Sequence, residues 1–253
     1  MKLLSTNFSF LKNPIAIILF GLFFSFFIFL LNYEKIQNRF NGPSPQDLIL
    51  LDSLTVQARD LARIDPNKSL ALTFEVLEKS QELNYKKGLA DSYRLLSIAS
   101  VQARNFVLTR EFIEKAKEIF LELGDESGLA DVENSEGNLF IYMSDTVNAI
   151  RPYRKAFEIY SRLKRNDRIR VAAYNLAYSY SALPNLDSTK YFLKISEDLK
   201  TKKDDVPGFA VTQGLRGKIA YMEGDYAQAE KYFKESLDYY NSHKLQESFV
   251  AYF

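Results

Sequence analysis

From about residue 48 onward, apolar and polar positions follow one pattern that returns every forty residues. Asp65, Asn105, Asp145, Asn185 and Asp225 stand at that interval. Four residues after each comes a small residue: Ser69, Thr109, Ala149, Thr189, Ala229. Eight before each comes another, mostly small: Gln57, Ser97, Gly137, Ala177, Gly217. A fixed period over five copies marks a repeat architecture. In the last copy, residues 210–223 lack Pro and carry Leu215, Ile219, Ala220 and Met222 at helical steps, unlike the alternation of a strand. Gly224-Asp225-Tyr226 then breaks the helix. Gly adopts backbone angles that other residues resist, and Asp accepts a hydrogen bond from the first free N–H groups of the next helix. That next helix places Ala229, Phe233, Ser236, Leu237 and Tyr240 on one stripe. Each unit is predicted to be a helix, a short turn and a helix, and the whole an all-α solenoid of about five such repeats.

The small residues predict where paired helices touch. The Ser97, Gly137, Ala177, Gly217 series marks the contact on the first helix. The Thr109, Ala149, Thr189, Ala229 series marks its counterpart on the second. Ile113, Tyr153, Leu193 and Phe233 fill the next layer, and small residues return at Ala116, Ala156, Ser196 and Ser236. Ile119, Ile159, Leu199 and Tyr239 close the stripe.

This order of small, small, bulky and small positions, with the Gly-Asp-Tyr turn at 224–226, resembles the tetratricopeptide repeat (TPR) family, whose unit is about 34 residues. Here the stretch between repeats is longer, as at 83–90 and 123–130, and this long form resembles the input regions of bacterial signalling proteins. The resemblance covers residues 48–248 and implies a right-handed superhelix with repeats at about 48–86, 87–126, 127–166, 167–206 and 207–246. Residues 249–253 look like the start of an incomplete sixth repeat. Glu136 and Arg216 depart from the family, which usually has Leu there, so either the neighbouring Leu139 and Leu215 take over or those copies pack loosely.

Ahead of the repeats, residues 1–14 form a polar leader with Lys2 and Lys12 and no acid. Residues 15–31 are an unbroken apolar run of 17 residues with six Phe. At about 1.5 Å per residue that run approaches the length needed to cross a bilayer. It predicts one transmembrane anchor. A cleaved signal peptide is the rival reading, but the run is long for one and lacks small residues at a cut site. Basic residues flank both sides, Lys2 and Lys12 before and Lys35 and Arg39 after, so their number does not set the orientation. The acid-free leader resembles a signal anchor, which would leave the repeats on the outer, periplasmic side. Residues 32–47 read as a linker ending in Asn41-Gly42-Pro43-Ser44-Pro45. Pro152 sits seven positions past Asp145, inside an expected helix, and predicts a kink or a helix beginning near Arg151.

The net charge is +1, from 33 basic and 32 acidic residues, which gives no electrostatic case for nucleic acid as a partner. There are no cysteines, which excludes disulfides and Cys-based zinc sites. The single histidine, His243, falls near the expected end of the last helix and has no partner for catalysis. Glu114, Glu118 and Glu122 recur at helical spacing as a solvated face. The chain is therefore expected to be no enzyme and to need no cofactor or metal.

In TPR-like superhelices the first helices line the concave face, the surface solenoids use for binding. Carried onto this sequence copy by copy, the inward positions are Arg94 and Ile98, then Asn134, Asn138 and Tyr142, then Tyr174, Asn175 and Tyr178, then Lys218 and Tyr221. Amides and phenols there suit an extended peptide, because Asn both donates and accepts. Some family members clamp a partner's C-terminal carboxylate. Asn138 and Asn175 match the amide positions of that clamp, but Asn134, Val211 and Leu215 stand where it needs cations. The expected function is a membrane-anchored scaffold that binds protein or peptide, as the interaction part of a bacterial signalling protein. The alternatives are a structural scaffold of an envelope complex, or a secreted repeat protein. The last repeat would leave the Phe233, Leu237 and Tyr240 side open. The chain is thus expected to be part of a longer protein or to associate with another subunit through its C-terminal end.

Overall fold

The computed structural model describes residues 23–27, 42–62, 65–183, 185–199 and 206–242, with side chains from 208 onward in the last segment. Ten helices follow one another from Pro45 to Ser242, and a short helical stretch lies at 23–27. The first repeat pairs α1 (Pro45–Leu61) with α2 (Pro66–Glu82). The second pairs α3 (Lys86–Gln102) with α4 (Phe106–Leu123). The third pairs α5 (Glu126–Tyr142) with α6 (Thr146–Arg162), and the fourth α7 (Asn166–Ala182) with α8 (Leu186–Asp198). The fifth pairs α9 (Val206–Met222) with α10 (Tyr226–Ser242). There is no strand among the described residues. The architecture is an all-helical, repeat-like stack.

All five residues of the forty-residue series cap a second helix. The side chains of Asp65, Asn105, Asp145, Asn185 and Asp225 accept from the backbone N–H of Lys68, Leu108, Asn148, Ser188 and Gln228. A finer period sits beneath it. Asn84, Arg104, Gly124, Ser144, Lys164 and Gly224 all have left-handed backbone angles and lie at multiples of twenty residues from one another. Beside each, a backbone N–H reaches back to close the helix end, as from Tyr85 to Ser80, Asp125 to Phe120 and Asp225 to Ala220. These bonds satisfy carbonyls that the helix leaves without a partner. α1 begins at Pro45, inside the expected linker. Ser44 caps it and exchanges hydrogen bonds with Asp47, and Pro occupies the first turn, where no bonded N–H is lost.

Packing refines the expected stripes. The small position of the first helix lies against the bulky layer of the second. A Cβ on Gly137 would lie 2.4 Å from the Tyr153 ring, and one on Gly217 would lie 2.7 Å from that of Phe233. The closing position is one residue later than expected. Phe120, Tyr160 and Tyr240 are buried, whereas Ile119, Ile159 and Tyr239 are half-buried. Gly128 lets α5 approach the Phe120 ring of the preceding repeat. Leu139 and Leu215 are buried beside Glu136 and Arg216, which turn to ion pairs instead. Pro152 does not delay the helix. α6 starts after the Asp145 cap and runs through the proline, which is buried.

The anchor expected over 15–31 is corrected. Among the described residues no helix is long and apolar enough to cross a membrane. Of that run only 23–27 are described. The single-pass, outer-side placement falls with the anchor. The rest of that run, His243 and residues 249–253 lie outside the described residues.

Candidate functional site

First helices touch along much of the stack: α1 meets α3, α3 meets α5, and α7 meets α9, whereas α5 and α7 stand further apart and no two second helices make comparable contact among the described residues. The layer whose members lie closest together is the inner side of a curved stack, so the first helices carry the candidate surface. Ile98, Asn138, Tyr178 and Lys218 form one row across it at forty-residue spacing, each half-buried.

Neighbouring members of this surface bond to one another. The Asn175 side-chain amide donates to Asn134 Oδ1 at 2.9 Å, bridging α7 and α5. Asn138 Oδ1 accepts from the Tyr153 hydroxyl at 2.7 Å, which fixes the amide from below. Lys218 Nζ lies 5.6 Å from the centre of the Tyr178 ring, a cation–π contact between α9 and α7. Tyr174 donates to the Val211 carbonyl at 3.4 Å. Among the described residues no carboxylate lies within ion-pair distance of Lys218. Burial lowers the pKa of its ammonium, and burial raises that of the Tyr178 phenol. Tyr221 is exposed and packs edge-on against Tyr226 at 5.5 Å. Tyr142 packs into the cluster around Ile113 and Leu139.

Arg94 lies apart from this surface. It is 5% exposed, its guanidinium turned to Asp131 at 3.7 Å and Asp91 at 3.9 Å. Asp131 is the hub the sequence did not reveal. It also meets Arg168 at 3.5 Å and accepts from the Tyr160 hydroxyl, so one carboxylate joins α3, α5, α6 and α7. Burial alone would raise its pKa, but Arg94, Arg168 and Tyr160 together hold it below the ordinary carboxylate value. Burial and the Asp131 carboxylate push the Tyr160 phenol up. A smaller tie joins repeats one and two, where Tyr85 donates to Asp52 at 2.9 Å. Burial and that bond push Tyr85 up to about 12. The available signal was Asp91 and Asp131, forty apart on consecutive first helices, but nothing in spacing says that an arginine from each side will reach them.

No protein-family model and no curated protein matches the chain. Among solved structures it is similar to BtubC (BKLC) from P. vanneervenii, with a TM-score of 0.54 and 18% identity over 80% of this chain and 93% of that one. At that identity the likeness speaks for the fold alone, an all-helical repeat-like arrangement.

Proposed function

We propose that this chain is a tetratricopeptide-type scaffold that binds an extended segment of protein along its first-helix layer, around Asn134, Asn138, Asn175, Tyr178 and Lys218. The observation that carries the reading is the Asn134–Asn175 bridge. It holds two amides side by side from different repeats and leaves an N–H2 of one and a carbonyl of the other without a protein partner among the described residues. A peptide backbone offers the matching acceptor and donor. Lys218, a half-buried cation without a carboxylate, would select an acidic side chain two helices along.

The test is selection from a random peptide library displayed on phage. Enrichment of peptides carrying Asp or Glu supports the reading, provided N138A/N175A/Y178F loses the enriched peptides while its circular dichroism is unchanged. Peptides retained by that triple variant, or no enrichment at all, would refute it. K218Q is expected to abolish the preference for acidic residues while leaving weaker binding intact.

A further inference from the structure

At the junctions between repeats, a residue on the second helix stands in register with the residue nineteen positions on, in the first helix of the next repeat. Lys117 pairs with Glu136 at 3.7 Å, and Glu197 with Arg216 at 2.8 Å. Phe157 packs against the cluster that holds Leu176. Leu77 stands in the same register to Leu96. The junctions thus alternate between apolar and ionic, and the two members always match. Continued outward by the forty-residue period, the two rows end on Leu237 in α10 and Val56 in α1. Both are apolar, and they are 52% and 44% exposed where most of their interior counterparts are buried or half-buried.

The surroundings repeat the match. Leu50 is 45% exposed, whereas Ala90, Ala130 and Ala210 at its register are fully buried. Phe233 is 38% exposed, whereas Ile113, Tyr153 and Leu193 are buried. Phe233, Leu237 and Tyr226 border an open apolar hollow of about 420 Å³ on α10. A face of that kind marks a contact site.

We infer that α10 of one copy packs against α1 of a second copy, head to tail, reproducing the interior junction with Leu237 on Val56. This goes beyond the peptide-binding reading and is independent of it. Because the two surfaces differ, the contact is heterologous and propagates into open or closed chains of copies.

The experiment is sedimentation velocity on the full 253-residue chain. The wild type is expected to form species that grow with concentration. V56K and L237E should each sediment as a monomer with unchanged helicity, and a 1:1 mixture of the two should again form species that grow with concentration, because the two variants alternate, joined by the wild-type apolar junction at one end and by an ion pair like that of Glu197 and Arg216 at the other. The chain has no cysteine, so oxidising a V56C/L237C double variant should yield a ladder of linked copies. A wild type that stays monomeric to its solubility limit, association that survives in both single variants, or links formed by L237C with itself would overturn the inference. So would an intramolecular link in L237C/F253C, which would place the chain's own end on this face.

Discussion

Gly137 lies directly against the ring of Tyr153, so close that an added Cβ would fall 2.4 Å from it. The ring is buried and donates through its hydroxyl to Asn138, so it cannot swing aside without breaking that bond. Gly217 and Phe233 repeat the pairing in the last repeat, but Phe233 is partly exposed and carries no polar anchor. Gly137→Ala should therefore destabilise the protein by about 1–3 kcal/mol through overpacking, despite the better helix propensity of Ala. Gly217→Ala should be near neutral. Urea unfolding of both variants checks the contrast.

Asp131 holds together helices from three repeats, and its removal leaves Arg94 and Arg168 without their shared anion. Asp131→Asn should cost about 3–5 kcal/mol, the range for breaking a buried ion pair from one side. The pH dependence follows from the direction of the shift. The folded carboxyl has a pKa below its ordinary 3.8, so the unfolded state binds more protons between the two values. Its contribution is complete above the ordinary value and is lost as pH falls through the folded one. Unfolding midpoints measured against pH should show less acid-side loss in Asp131→Asn than in the wild type.

Lys164 and Gly124 occupy the same left-handed turn position, with φ of 55° and 63°. Gly accepts that geometry freely, whereas a Cβ costs about 1 kcal/mol there. Lys164→Gly should raise stability by about that much, and Gly124→Ala should lower it. Thermal midpoints moving in opposite directions would bear this out.

Asp225 caps α10 by accepting from the Gln228 N–H at 3.0 Å. Asp225→Ala should cost about 1 kcal/mol, and Asp225→Asn only a few tenths. Because solenoid stability is carried between neighbours, hydrogen exchange should rise in α9 and α10 and stay unchanged in α3 and α4.

The helical repeat, its forty-residue register and the five caps were legible in the sequence because they rest on local chemistry. Helical periodicity, a carboxylate or amide before a helix, and Gly at a turn act over a few residues each, and they recur at a fixed interval. The apolar run at 15–31 was equally legible as a run, but no described helix is long and apolar enough to cross a membrane. Tertiary structure decided which surfaces those helices share. Only folding brings Asp131 between Arg94 and Arg168, residues 37 positions to either side that lie on different helices. The same contact withdrew Arg94 from the expected groove, because a guanidinium beside a buried carboxylate is held there by charge. Folding also set Gly137 under the ring of Tyr153 and joined Asn134 to Asn175 across two repeats. Periodicity assigns each residue a place on its own helix. Which neighbour it meets depends on how adjacent helices are rotated and offset, and that is fixed by the packing of whole faces.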